Sequence, residues 1–200
     1  MIQFSDKTRY KKLLSEDYHI HGIDTDGSRF LVFAGPEIFR CVFSGTSLKV
    51  QKYCLDNATW IRACKYIHDK TVVLDYFNKI HVFDQNFKNP EVYSTETKCI
   101  LYSGKLQSIS NGVKVAVGTV FNTISIWNVD FNQNSQNLPK KLCLENQSQE
   151  IVLKGHNGAV FCVEFYQKDR LLSSSDDRSV RIWCLEAKVC LKTSEEDISS

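Results

Sequence analysis

The chain has 200 residues, room for one or two domains with a sizeable core. Apolar content is an ordinary 42%, aromatic content a high 12%, and the formal net charge is +2. That balance lacks the footprint of a strongly basic nucleic-acid binder, whose mark is a domain pI above about 9 with clustered Lys and Arg. The basic doublets, Lys11–Lys12 and Lys140–Lys141, read as solvated loops.

In chain order the recognisable segments are short and rich in β-branched and aromatic residues. They are "RFLVFAG" (29–35), "CVFSG" (41–45), "TVVLDYF" (71–77), "KIHVFD" (79–84), "VKVAVGTV" (113–120), "TISIWNV" (123–129), "AVFCVEF" (159–165), "RLLSSS" (170–175) and "SVRIWCL" (179–185). Turn residues separate most of them, and no segment sustains a helical period. The chain therefore reads as all-β. No apolar run approaches the ~18 residues of a membrane span, and "MIQFSDKTRYKK" has no apolar stretch that would make a secretory leader.

A period runs through these strands. Phe43, Phe83, Trp127 and Trp183 each stand at a strand end, at intervals of 40, 44 and 56. The last interval holds the Asn/Gln-rich stretch "DFNQNSQNLPKKLCLENQSQE". Removing an insertion of about a dozen residues there restores a period near 44. Three of the four aromatics follow a strand and a tight turn: "VVLDYFNKIHVF", "VAVGTVFNTISIW" and "LLSSSDDRSVRIW".

Residues 151 to 192 resemble a WD repeat, through Gly155–His156, "AVFCVEF", "LLSSSDDRSVRIW" and Trp183–Cys184. The resemblance implies a β-propeller of about four blades in an incomplete, open ring. The expected boundaries are a lead-in at 1–16, blades at 17–55, 56–94, 95–130 and 151–193, an inter-blade loop at 131–150 and a polar tail at 194–200. It also implies a hydrogen-bonded tetrad of His156, Ser175, Asp177 and Trp183. The chemistry is coherent: a buried indole N–H needs an acceptor, Ser175 offers one, and His156 bridges to the Asp177 carboxylate. In the two preceding units Thr119 and Asp75 take the serine place, while Phe121 and Phe77 take the aspartate place, so those units cannot hold the full set.

The ordered series "EDYHIHGI" (16–23), "NATWIRACKYI" (57–67), "VKVAVGTVFNTISIWNV" (113–129) and the 153–183 block is similar to the N-terminal propeller of one WD-repeat family. Its members are the large subunits of tRNA wobble-nucleotide 2′-O-ribose methyltransferase complexes. The resemblance implies a non-catalytic cytoplasmic scaffold whose partners are the catalytic methyltransferase subunit and, through the complex, tRNA. Trp60, Arg62, Arg178 and Arg181 are the candidate partner or RNA contacts, and further blades or another chain would complete the ring. A general interaction adaptor in trafficking, signalling or ubiquitin ligase assembly is the alternative. A hydrolase built on His156 and Asp177 ranks far lower, because no G-x-S-x-G elbow or oxyanion hole is visible.

No cofactor is called for, since no G-x-G-x-x-G loop occurs, and no metal site is expected. The eight cysteines, at 41, 54, 64, 99, 143, 162, 184 and 190, form no C-x-x-C pair and read as reduced thiols. His19 and His21 share a strand face but lack a third ligand. "DTDG" (24–27) reads as a hairpin turn rather than a calcium loop. "SEED" (194–197) offers only an acidic phosphorylation context.

Overall fold

The computed structural model describes residues 20–44, 47–56, 59–94, 100–131, 150–167 and 169–195. The lead-in at 1–16, His19, Cys99, Cys143, residues 132–149 of the long loop and the end of the tail lie outside the described residues.

Sixteen strands form four four-stranded antiparallel sheets. The first holds β1 (Gly22–Thr25), β2 (Arg29–Ala34), β3 (Glu37–Ser44) and β4 (Ser47–Cys54). The second holds β5 (Ile61–Ile67), β6 (Lys70–Asp75), β7 (Lys79–Phe83) and β8 (Glu91–Ser94). The third holds β9 (Leu101–Ile109), β10 (Gly112–Thr119), β11 (Thr123–Asp130) and β12 (Ile151–Lys154). The fourth holds β13 (Val160–Tyr166), β14 (Arg170–Ser175), β15 (Ser179–Cys184) and β16 (Val189–Glu195). Each sheet is a meander, its strands neighbouring in chain order.

The sheets pack face to face in sequence. Leu31, Phe33 and Ile38 of the first meet Ile61, Val73 and Phe83 of the second. Val72, Leu74, Ile80 and Val82 of the second meet Val113, Val115, Val117 and Trp127 of the third. Ala116, Ile124 and Ile126 of the third meet Val160, Val163, Leu171 and Trp183 of the fourth. A sheet covered on both sides needs apolar residues on both, which is why "VKVAVGTV" is small and apolar almost throughout. Among the described residues no comparable contact joins the fourth sheet to the first, so the ring is open.

Residue 151 does not open the fourth unit, as the period suggested. Ile151 pairs with Ile126 and Leu153 with Ile124, so β12 is the outer strand of the third sheet. Ile151 and Leu153 bury beside their partners in the core between the third and fourth sheets, which holds the strand there. The sequence repeat thus begins one strand earlier than the sheet it leads into. Among the described residues no helix is long and apolar enough to cross a membrane.

Gly118 shows how closely the sheets approach. A Cβ there would stand 2.6 Å from the backbone oxygen of Val160 in β13. Gly118→Ala is expected to destabilise the protein by roughly 1–3 kcal/mol through overpacking, read as a lower urea midpoint with an unchanged slope.

Candidate functional site

The β6–β7, β10–β11 and β14–β15 turns share one geometry. Asn78, Asn122 and Arg178 have φ of 61°, 62° and 65° at the same place in each. The residue that opens each turn caps it with a side-chain acceptor, a common use of short polar side chains. Asp75 Oδ1 accepts the Phe77 and Lys79 N–H groups at 2.8 and 2.9 Å. Thr119 Oγ1 accepts the Phe121 N–H at 3.2 Å, and Ser175 Oγ accepts the Asp177 N–H at 3.2 Å.

Ser175 is therefore a turn cap, and its own hydroxyl donates to the Gly158 carbonyl at 2.8 Å. The serine of the buried network is Ser173. Trp183 Nε1 donates to Ser173 Oγ at 2.8 Å, and His156 Nε2 lies 2.7 Å from the same oxygen. His156 Nδ1 lies 2.9 Å from Asp177 Oδ2. Ser173 and Ser175 share a strand face, so periodicity leaves both open. Ladder register decides between them: Leu171 pairs with Trp183, which sets Ser173 beside the indole and Ser175 at the turn.

The proton inventory gives the histidine tautomer. Ser173 Oγ accepts the indole N–H, so its one O–H is left for Nε2, and Nδ1–H donates to the Asp177 carboxylate. Asp177 also accepts the Asn157 N–H, the Ser179 N–H and the Ser179 hydroxyl at 2.9, 2.9 and 2.7 Å. Burial works upward on the Asp177 carboxyl. The Ser179 and Asn157 donors, with His156, outweigh it and hold the group below the usual carboxylate range. Burial pushes His156 below its ordinary value, partly offset by Asp177. Gly155 closes the site from outside: a Cβ there would lie 3.1 Å from the Trp183 ring.

Chemically this set is shut. Ser173 is 3% exposed, His156 5% and Trp183 1%, so no substrate carbonyl can reach the serine oxygen. Its lone O–H is committed to His156, and no strained elbow presents it. The Ser–His–Asp chain holds the sheet together.

The other sheets solve the same problem differently. Val73 and Val117 stand at the Ser173 position and Phe77 and Phe121 at the Asp177 position. Trp127, without a serine, donates to Asn78 Oδ1 across the sheet boundary at 3.2 Å. Phe83 needs no acceptor and packs on Tyr53 and Phe87 at 4.8 Å each. The second sheet carries a part-buried pair that sequence reasoning missed, His81 Nε2 on the buried Asp75 Oδ2 at 3.0 Å. The signal was a histidine six residues after a turn-capping aspartate.

Arg181 is not a free surface cation. Its Nε donates to Ser179 Oγ at 3.2 Å and its guanidinium lies 3.8 Å from Asp177 and over the Trp183 ring. Arg178 is exposed on its turn. Trp60 is 44% exposed, its ring 5.1 Å from that of His21. The Arg62 guanidinium sits 4.7 Å over the Tyr76 ring, and burial lowers its pKa, with Tyr76 partly offsetting this. Asp24 caps the Tyr66 N–H at 2.9 Å, and the Asp26–Gly27 turn joins β1 to β2. Among the described residues no group of three His, Cys, Asp or Glu is placed to hold a metal, and Cys41, Cys64 and Cys184 are buried free thiols.

Ser173→Ala strands two buried partners and is expected to cost roughly 1–3 kcal/mol, whereas Ser175→Ala costs about 0.5–1.5 kcal/mol; equal losses in chemical denaturation would contradict the assignment. His156 and Asp177 both bind protons more weakly folded than unfolded, so acid destabilises the fold. Stability should fall as pH drops below the ordinary histidine value of 6.5 and again below the ordinary aspartate value of 3.8. His156→Asn should remove the first decline in a pH series of melting temperatures.

Comparison with known proteins agrees with this geometry. Residues 147–184 match the family model "WD domain, G-beta repeat". The chain is 32% identical over 89 residues to the tRNA (34-2'-O)-methyltransferase regulator WDR6 of Drosophila melanogaster, covering 44% of this chain and 9% of that protein. It is 31% identical over 88 residues to THO complex subunit 3 of Arabidopsis thaliana, covering 43% of this chain and 24% of that protein. The chain therefore spans less than a quarter of the length of both curated relatives. Four antiparallel four-stranded sheets in series have the architecture of WD-repeat propeller blades, and the WD-domain match runs from β12 to β15.

Proposed function

We propose that this chain is a non-catalytic scaffold that serves, as part of a larger WD-repeat subunit, a tRNA 2′-O-ribose methyltransferase acting on the wobble nucleotide of the anticodon. The observation that carries the reading is the 32% identity over 89 residues to a protein named as a regulator of that methyltransferase. The buried Ser173–His156–Asp177 chain supports it from the other side: the polar groups most like an active site are used up in holding a blade. The methyl donor and the chemistry then belong to a catalytic partner in the cytoplasm. Trp60, Arg62 and Arg178 remain the candidate contacts, while Arg181 is engaged within its own blade.

The near-equal identity to THO complex subunit 3 favours a second reading, a WD adaptor for a different assembly. A tagged pull-down of the chain from its own cells, read by mass spectrometry, separates the two. Recovery of a ribose 2′-O-methyltransferase is the expected result. Recovery of a different stable assembly without that enzyme would replace the first reading with the second.

A further inference from the structure

Every seam inside this chain joins two unlike faces. One is the leading face of a sheet, turned toward the next sheet in chain order, and the other is the trailing face of that next sheet. Ala116, Ile124 and Ile126 on the leading face of the third sheet pack on Val160, Leu171 and Trp183 on the trailing face of the fourth. The first and second sheets join in the same sense. Among the described residues no comparable contact joins the fourth sheet to the first. The fourth sheet therefore keeps an unused leading face, and the first keeps an unused trailing face.

The ladders show that the leading face of the fourth sheet repeats that of the third. Leu172 pairs with Ile182 as Ala116 pairs with Ile126, and Ser174 pairs with Val180 as Gly118 pairs with Ile124. Leu172, Val180 and Ile182 thus stand where Ala116, Ile124 and Ile126 stand in a filled seam. Ile124 is 0% exposed, whereas its counterpart Val180 is 48% exposed, and so is Val189 on the neighbouring strand. The first sheet is apolar on its trailing side as well. Leu31, Phe33 and Ile38 pack toward the second sheet, so alternation turns Phe30, Val32 and Cys41 the other way. Ile23 pairs with Val32 and Leu48 with Phe43, which carries the patch across all four strands. The Phe30 and Phe43 rings lie 5.4 Å apart, and Ile23, Phe43 and Leu48 are exposed. Glu37 Oε2 is buried on this side and has no donor among the described residues, while its other oxygen is held by Lys52 at 2.6 Å. Ser174 and Ser194 flank Val180 on the fourth sheet and carry hydroxyl donors.

We propose that two copies of this chain close into one ring of eight sheets, the fourth sheet of each copy packing on the first sheet of the other. A second copy supplies both missing faces at once, and each of them continues a seam that the chain already forms with itself. One two-fold axis uses all four terminal faces. The contact is heterologous, and it closes instead of growing into a filament. Eight sheets lie within the four to eight blades typical of β-propellers. The inference rests on ladder register and exposure, and it is independent of the methyltransferase reading.

The test measures the mass of the full chain by sedimentation velocity from micromolar to near-millimolar concentration. A species of twice the 23.0 kDa chain mass, dissociating on dilution, is expected. Val180→Asp and Phe43→Asp each place a charge in one of the two unlike faces and should weaken dimerisation roughly 30-fold or more. An equimolar mixture of the two variants regains one intact seam, so it should dimerise more tightly than either variant alone. Thermal melting followed by circular dichroism checks each fold, and Val189→Asp or Ile23→Asp replaces a variant that melts early. A monomer at every concentration, a mass that keeps growing with concentration, or a mixture no tighter than its components would each overturn the ring. Loss of the dimer in Val180→Asp but not in Phe43→Asp would mean that two fourth sheets meet each other, which overturns it equally.

Discussion

Each sheet after the first depends on burying the large aromatic group that closes its third strand against the preceding sheet. Phe83, Trp127 and Trp183 occupy that place in β7, β11 and β15, each at 2% exposure or less. An indole buried this deeply has an N–H that must find an acceptor or cost roughly 1–3 kcal/mol. The chain meets the demand in three ways: no N–H at Phe83, a cross-sheet amide from Asn78 at Trp127, and Ser173 at Trp183. Once Ser173 serves the indole, its own proton needs a base, the base needs an orienting carboxylate, and the carboxylate needs donors. His156, Asp177, Ser179 and Asn157 follow as consequences of one buried ring.

The same reasoning explains why the first three sheets hold together without the network. Val73 and Val117 replace Ser173, so the corresponding positions add apolar area instead of a polar chain. In the second and third sheets register is set by packing on both faces, most completely in β10, where seven of eight residues are buried. A polar network with every member satisfied specifies one arrangement more sharply than apolar packing does. The fourth sheet has it, whereas the first, which like the fourth packs on a single neighbour among the described residues, relies on apolar packing against the second.

The arrangement also separates structure from contact. The Ser173–His156–Asp177 groups are enclosed, whereas several large aromatic side chains are exposed at the end of the sheets that carries the capped turns. Phe77 and Phe121 stand where Asp177 stands in the fourth sheet, and both are more than half exposed. Loss of the tetrad aspartate in two blades thus leaves aromatic side chains on the end face.

Much of this was legible in the residues. Alternation of apolar and polar positions, turn residues and a period near 44 residues determined an all-β chain of repeated units. Gly155–His156 and the "SSSDDRSVRIW" block carried the resemblance that implied a polar network around Trp183 in the last unit. Local pattern could not choose Ser173 over Ser175, because a period of two puts both on one face and only pairing across β14 and β15 ranks them by distance from the indole. It could not place β12, because strand ownership is settled by which neighbour buries Ile151 and Leu153. The register shifts that skip Arg62, Tyr102 and Phe161 in the first strands of the second, third and fourth sheets were equally invisible. A bulge is a mismatch between two strands, and it exists only once both are laid side by side.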